Sequence, residues 1–446
     1  MWSEKNGASA LRVLLLAIAC AALPAGAQGN AGAPAQHRVD FREYATAVAA
    51  YSLDLQAQHE NVAGAQAGLS IAAVRPDPVL TGGIDSAELY GPNRVNASTA
   101  TTLGLALTIE TGGKRDRRIK AAQAALRVGE MTLEGFKRQL YADAAVAFAE
   151  ACRARDALER QEASLRALSD IASANATRHR VGDIGGLELA QSQVERDRFE
   201  ADVTTARAQV QAATEALSIP LGRRYDELFG NAGLECGVVL TDKLADVAQL
   251  VQRALGTRDE IRIAQAALAA ARASADLAQA NRWVDPVLNV AVKNTPSVRP
   301  VFEAGGGVSN AAAQRSLSLG LTVSVPIPLS RMQRGEVLQA ESAVTQAMLA
   351  LRSAQLKTQA DVRRMHAQYM AATANVRRYR ESVLANADKV VDGMRLSYKK
   401  GTASLLELLS AHKSANETYL AYLQAMADLT AATVQLQLAI GTDPGQ

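Results

Sequence analysis

Three cysteines, 12 prolines and 4% aromatic residues are few for a chain of 446 residues. Each scarcity excludes something. Cys20, Cys152 and Cys236 are too few for a disulfide scaffold or a cysteine-rich zinc site. His37, His59, His179, His366 and His412 contain no i, i+4 pair, and none lies beside a cysteine, so no metal site is expected. The shortage of aromatics argues against the stacking platforms of single-strand nucleic-acid binders. No basic tract stands out, so nucleic acid is not an expected partner. Beyond the first residues no segment reaches the roughly 18 uninterrupted apolar residues of a membrane helix. Nothing resembles a catalytic triad or a carboxylate pair in a cleft, so no enzyme and no cofactor is expected. The one segment suggestive of a phosphate loop, TIETGGKRDRR, fails the test. A G-x-x-x-x-G-K-[ST] loop needs glycine where Thr108 stands and Ser or Thr where Arg115 stands.

The first 27 residues read as a secretory signal. Lys5 and Arg12 precede the apolar run VLLLAIACAALPAGA, and Ala25 and Ala27 give the small-x-small pattern of a cleavage site after Ala27. A lipoprotein signal acylated at Cys20 is the alternative, with Ala17 where leucine is usual. After cleavage 46 basic residues face 44 acidic ones, a net charge of +2. The chain reads as exported.

Proline placement shows where long helices fit. None occurs between Pro92 and Pro220, nor between Pro328 and Pro444. A proline inside a helix costs about 3 kcal/mol or more, so these gaps have room for very long rods. They belong to two halves of one repeat. DPVL occurs at 77–80 and 285–288, TLGLALTIE at 102–110 matches SLGLTVSVP at 318–326, and VGDIGGLELAQS at 181–192 matches KGTASLLELLSA at 400–411. Each half reads as helix, strand, strand, very long helix, glycine turn, helix. The first repeat spans 28–217, with strands near 77–85 and 101–110, a helix over 114–180 and another over 186–217. A non-helical linker covers 218–243. The second repeat spans 244–440, with strands near 286–293 and 316–325 and helices over 331–399 and 403–440; a tail, 441–446, follows. A rod of more than sixty residues is roughly 100 Å long. Leu126, Leu133 and Leu140, and likewise Leu158 and Leu165, recur every seven residues, which suits coiled-coil-like packing.

The strands alternate. Leu103, Leu105, Leu107 and Ile109 alternate with Thr102, Gly104, Ala106 and Thr108, and the segments 288–293 and 316–325 behave likewise. One face is aliphatic, the other small or polar, over about ten residues, the length of a tilted transmembrane strand. A soluble sheet covered by local helices gives the same alternation. The rods are far longer than such a sheet, which favours a membrane barrel. Four strands cannot close one, since the smallest have about eight. Open edges are costly in lipid, so the chain must oligomerise.

These features resemble the outer-membrane efflux protein family of TolC-type channels over nearly the whole mature chain. RPDPVL and RWVDPVL resemble its helix-to-strand junctions, TIETGGKRDRR its strand-to-helix junction, and RVGDIGGLELAQSQ its helix-turn-helix tip. The resemblance implies a mainly α fold with a small β part. Three copies form a 12-stranded outer-membrane β-barrel, four strands per chain, continued by a long α-helical periplasmic tunnel. It implies a passive outer-membrane duct extending into the periplasm. Its partners are a second and third copy, a periplasmic adaptor (membrane fusion) protein, an inner-membrane pump of the RND type, and outer-membrane lipid. SVPIPLSRMQRGEV resembles the heavy-metal, cobalt-zinc-cadmium branch. Drug efflux and type I protein secretion use the same fold and stay open as alternatives, and a periplasmic coiled-coil scaffold is the non-membrane alternative.

The candidate residues follow. Val181, Gly182, Asp183 and Leu187 form one periplasmic tip, and Gly401, Thr402 and Leu406 the other. These are helix-hairpin turns, and the resemblance implies that adaptor hairpins dock there. Arg178, Arg180, Asp183, Lys399 and Lys400 read either as solvated turn charges or as a gate. Gly112 and Gly113 permit the sharp turn from barrel to tunnel, with Pro326 and Pro328 in the corresponding place. Lys114, Arg115, Arg117 and Arg118 read as a solvated collar. Cys152 lies about 44 Å up the rod from Val181, and Cys236 follows a helix rising from the same tip. The two thiols can share one level, and whether they pair stays open because their facing directions are not readable.

Overall fold

The computed structural model describes residues 37–85, 100–237, 246–296, 305, 315–327 and 334–442. The expected signal and Pro328 lie outside them. Two helices open the described chain, α1 (Phe41–Tyr51) and α2 (Leu53–Ala73), parted at Ser52. Two strands follow, β2 (Val79–Asp85) and β3 (Ala100–Thr108), after the short β1 (Arg38–Val39). Then α3 runs 67 residues from Lys114 to Arg180, about 100 Å at 1.5 Å per residue. A tight turn sends the chain back along α4 (Gly186–Leu221).

The second half follows the same plan. Helices α6 (Val247–Thr257) and α7 (Asp259–Ala280) are parted at Arg258. Strands β5 (Val287–Thr295) and β6 (Ser316–Ser324) follow. The second rod comprises α8 (Arg334–Arg378), a π-helical turn at Tyr379–Val383 and α9 (Leu384–Lys399), and α10 (Leu405–Ile440) returns along it. The rod is therefore not the uninterrupted α-helix expected over 331–399, and residues 331–333 lie outside the description. Between the halves, α5 (Tyr225–Phe229) and β4 (Gly233–Leu234) fill part of the expected non-helical linker. That expectation is corrected at 218–221 as well. Helix α4 runs through Pro220, which occupies the last turn, and stops at Gly222 with a φ of 69°.

The four long strands form one antiparallel sheet in the order β2-β3-β5-β6. Its register aligns Leu80, Leu105, Val290 and Leu321 in a single row, and Leu103, Val292 and Leu319 in the next. Neighbouring rows hold the small residues Gly104, Ala291 and Gly320. A Cβ added to Gly104 would lie 2.9 Å from the Thr81 hydroxyl oxygen and 3.0 Å from the Ala291 Cβ, so that row is already closely packed. The aliphatic rows are exposed, Leu317 and Leu319 each at 75%. No described helix covers them, as helices would in a soluble sheet. No described helix is long and apolar enough to cross a membrane.

The rods bury a seam of small residues. Leu133 and Leu140 are buried in α3, but most of its other buried positions are alanines, among them Ala144, Ala151, Ala154 and Ala157. Leu126 and Leu158 are only half-buried. Alanine, rather than the heptad leucines, sets how closely these helices approach. The largest core cluster lies midway along the first repeat. There Val39, Tyr44, Phe148, Leu217, Leu221 and Leu234 pack together. The Tyr44 hydroxyl donates to the Leu217 carbonyl at 2.8 Å, and burial pushes its pKa well above the ordinary value. Strand β1 pairs parallel with β4, and Arg155 donates to the Leu234 carbonyl. A disulfide joins Cys152 to Cys236, with the Cα atoms 5.8 Å apart and the two residues 84 positions apart in sequence. The two thiols do share a level, and they do face each other.

Candidate functional site

Two places combine special backbone with chemistry-bearing side chains: the junction between sheet and rods, and the far ends of the rods.

At the junction the sheet hands over to α3 through Gly112 and Gly113, both left-handed with φ of 64° and 68°. Only glycine adopts this conformation without strain. Asp285, from the second DPVL, is the hub. It accepts the Lys114 ammonium at 2.7 Å through Oδ2 and the Thr111 backbone N–H at 2.8 Å through Oδ1. The Thr111 hydroxyl donates to the Val284 carbonyl at 2.6 Å, and the Ile109 N–H to Pro286 at 2.9 Å. Burial raises the Asp285 pKa, but the bonds from Lys114 and Thr111 outweigh it and hold the carboxyl below its usual range. Arg115 donates to the Ala73 carbonyl at 2.9 Å. Arg118 donates to Ala72 and Val74 and pairs with Glu110 at 2.6 Å. Arg117 pairs with Asp276. The expected solvated collar is thus corrected. Lys114, Arg115 and Arg118 knot the end of α2, the foot of β5 and the start of α3 together, because helix ends leave carbonyls without partners, while Arg117 stays exposed in its pair with Asp276 of α7. Pro326 lies two residues beyond the end of β6, the place Glu110 takes after β3, and so precedes the double glycine's position.

At the far end, α3 closes with two reciprocal backbone bonds. The Gly182 N–H donates to His179 and the Asp183 N–H to Arg178, at 3.0 and 2.9 Å, with Gly182 at a φ of 79°. The second rod repeats the motif: Gly401 N–H to Tyr398 and Thr402 N–H to Ser397, both 3.0 Å, with Gly401 at 73°. Both are Schellman turns, in which a left-handed glycine caps otherwise orphaned carbonyls. The exits differ. Helix α10 starts with a capping box in which Ser404 and Glu407 satisfy each other's backbone N–H, whereas α4 starts at Gly185 with no side-chain cap. Val181, Leu187 and Leu406 are exposed at these turns.

Between the two turns lies a polar cluster. Arg178 pairs with Asp183 at 2.6 Å, and that hydrogen bond raises the guanidinium pKa above its ordinary value. Its other arm donates to the Tyr398 hydroxyl at 3.2 Å. That hydroxyl lies 2.8 Å from the Asn175 side-chain oxygen and 3.0 Å from the Glu188 carboxylate, its single proton serving one at a time. Burial, and then the Glu188 bond, push the Tyr398 pKa up. Tyr398 therefore ties the second rod to both arms of the first hairpin, above a small apolar cluster of Leu168, Phe199, Leu405 and Leu409. His179 holds the first turn through Nδ1, 3.0 Å from the Ile184 carbonyl.

Outer membrane efflux proteins, as a family, match this chain over residues 46–223 and 250–442. The chain belongs to that family. Its members are ducts rather than enzymes. Among curated relatives, the cobalt-zinc-cadmium resistance protein CzcC of Cupriavidus metallidurans is 22% identical over 403 residues, which is 90% of this chain and 89% of CzcC. A membrane protein from Pseudomonas aeruginosa shares the fold with a TM-score of 0.74 at 18% identity, covering 90% of this chain and 93% of the other. VceC, an outer membrane protein from Vibrio cholerae, does so with a TM-score of 0.71 at 18% identity, covering 90% and 96%.

Within this efflux-family fold, the structure brings together some of the sequence-derived residues and leaves others apart. Arg178 and Asp183 meet, and Gly182 and Gly401 make the same turn. Arg180, Lys399 and Lys400 are exposed and have no ion-pair partner among the described residues. Asn175, Glu188 and Tyr398 were missed. Tyr398 carries no local signal, because its partners are 210 and 223 residues away. Among the described residues no three His, Cys, Asp or Glu side chains gather as a metal site would require.

Proposed function

We propose that this chain is the outer-membrane duct of a tripartite export system, and that it works as a homotrimer exporting divalent metal cations. The observation that carries the reading is the uncovered aliphatic face of the four-stranded sheet, mounted at one end of rods about 100 Å long. In lipid that face is favourable and the open edges β2 and β6 are not, so identical copies must pair edge to edge. The barrel then lies in the outer membrane and the rods cross the periplasm. The exposed tips carrying Val181, Gly182, Leu187, Gly401, Thr402 and Leu406 receive a periplasmic adaptor, which couples the duct to an inner-membrane pump of the RND type. The cluster of Arg178, Asp183, Asn175, Glu188 and Tyr398 holds the tips together as the closed gate. Arg180, Lys399 and Lys400 line its approach. The metal cargo is supported by the likeness to CzcC.

The decisive experiment is growth of a deletion strain across gradients of zinc, cobalt and cadmium, beside a panel of drugs and detergents. Sensitivity to the metals alone is the expected result. Sensitivity to drugs with normal metal tolerance keeps the duct and discards the metal cargo.

A further inference from the structure

One large apolar side chain at the junction takes no part in the polar knot. Trp283 follows α7, two residues before Asp285, and is 65% exposed. Its ring is nonetheless fixed. A Cβ on Gly112 would lie 2.6 Å from the ring's Cδ1 and 2.8 Å from Cγ, so the indole rests on that glycine's backbone. The indole N–H has no hydrogen bond among the described residues. Arg282, beside it, is exposed and has no carboxylate partner among them, although Lys114, Arg115, Arg117 and Arg118 all do their bonding within the chain. The first repeat has the same composition at the matching positions: Val74 and Arg75, one apolar and one cationic, both exposed.

An indole held at the end of an exposed aliphatic sheet, with a free N–H and an unpaired cation next to it, fits one kind of surface. The ring suits the boundary between acyl chains and headgroups, and its N–H can reach an ester or phosphate oxygen there. The guanidinium matches lipid phosphate. We infer that Trp283 and Arg282 seat the chain in the phospholipid headgroup layer on the periplasmic side of the outer membrane, and so fix how deep the barrel sits. This rests on the membrane reading above.

The test uses the mature chain, residues 28–446, in which Trp283 is the one tryptophan because Trp2 belongs to the expected signal. The protein is reconstituted into phosphatidylglycerol-containing vesicles and floated on a density gradient. Vesicles are then made with acyl chains brominated near the headgroup or near the terminal methyl, and iodide serves as an aqueous quencher. The expected result is co-flotation, with the largest loss of emission from bromine near the headgroup, little loss from deep bromine and little from iodide. Arg282→Glu should float as well but lose part of the shallow quenching. Co-flotation with quenching by iodide alone overturns the inference, because the ring then faces water. Co-flotation with quenching by neither also overturns it, because the ring is then buried between copies; the membrane reading survives both. Failure to float removes the membrane reading and this inference together.

Discussion

The two repeats share a plan and differ in how firmly each is tied down within the chain. The first has a disulfide, a paired N-terminal strand and a buried tyrosine midway along the rod, and a polar knot where the rod meets the sheet. The second has no disulfide and no paired terminal strand among the described residues, although it buries Tyr369 in α8 and supplies Asp285, the hub of the knot. Its α9 buries no residue at all and β6 is exposed along its whole length. A sequence can thus repeat itself while its two copies do different work. Both halves leave aliphatic strand faces exposed, and the second also leaves α9 without a buried residue.

That contrast can be broken at several points. The largest effect belongs to the tips. Gly182→Trp should abolish export while oligomers still form, since a Cβ there meets nothing within 4 Å and the damage is confined to the turn and its docking surface. Metal tolerance and heat-resistant oligomers on gels, measured together, check it; normal tolerance refutes the docking role. Next comes the disulfide. Its removal by Cys152→Ser should lower stability by about 4.5 kcal/mol for a loop of this length. The loss should appear as a lower unfolding temperature in detergent, and reductant should reproduce it in the wild type and leave the variant unchanged. Tyr398→Phe should weaken the link between the halves by about 2 kcal/mol, because Asn175 and Glu188 lose a partner in a partly buried place. Open-channel probability in planar bilayers should rise roughly 30-fold, at about 1.4 kcal/mol per tenfold. An unchanged probability would remove the cluster from the gate.

The smallest effect separates the two DPVL segments. Asp285→Asn should cost about 1.5 kcal/mol at neutral pH through its bonds to Lys114 and Thr111. Because the folded carboxyl has a lowered pKa, its contribution is present above the ordinary carboxylate value and disappears as pH falls through the lower folded one. The wild type should therefore loosen in acid over a range where Asp285→Asn shows no change. Asp77 is exposed, with no ion pair among the described residues. Asp77→Asn should be silent in dissociated chains, and an effect seen only in the assembled form would show that a second copy supplies its partner.

Features governed by local chemistry were legible in the sequence. Gly182 and Gly401 announce turns because left-handed backbone favours glycine, and Leu103, Leu105 and Leu107 announce a strand through alternation alone. Features made by distant partners were not. Lys114, Arg115, Arg117 and Arg118 look solvated in sequence, because the carboxylates and carbonyls they bind come from other elements. Pro220 reads as a helix stop, yet a final turn tolerates it. Cys152 and Cys236 could be set at one level by counting residues, but not aimed at each other.

The π turn at Tyr379–Val383 has one more implication. A wider turn holds an additional residue without lengthening the rod by a full step, so it resets the angular phase of everything beyond it by about 100°. Tyr398 lies downstream of that reset. Its hydroxyl faces Asn175 and Glu188 because the helix was re-clocked on the way down. Deleting a single residue in 379–383 would leave every tip residue in place in the sequence and swing the lock out of its keyhole.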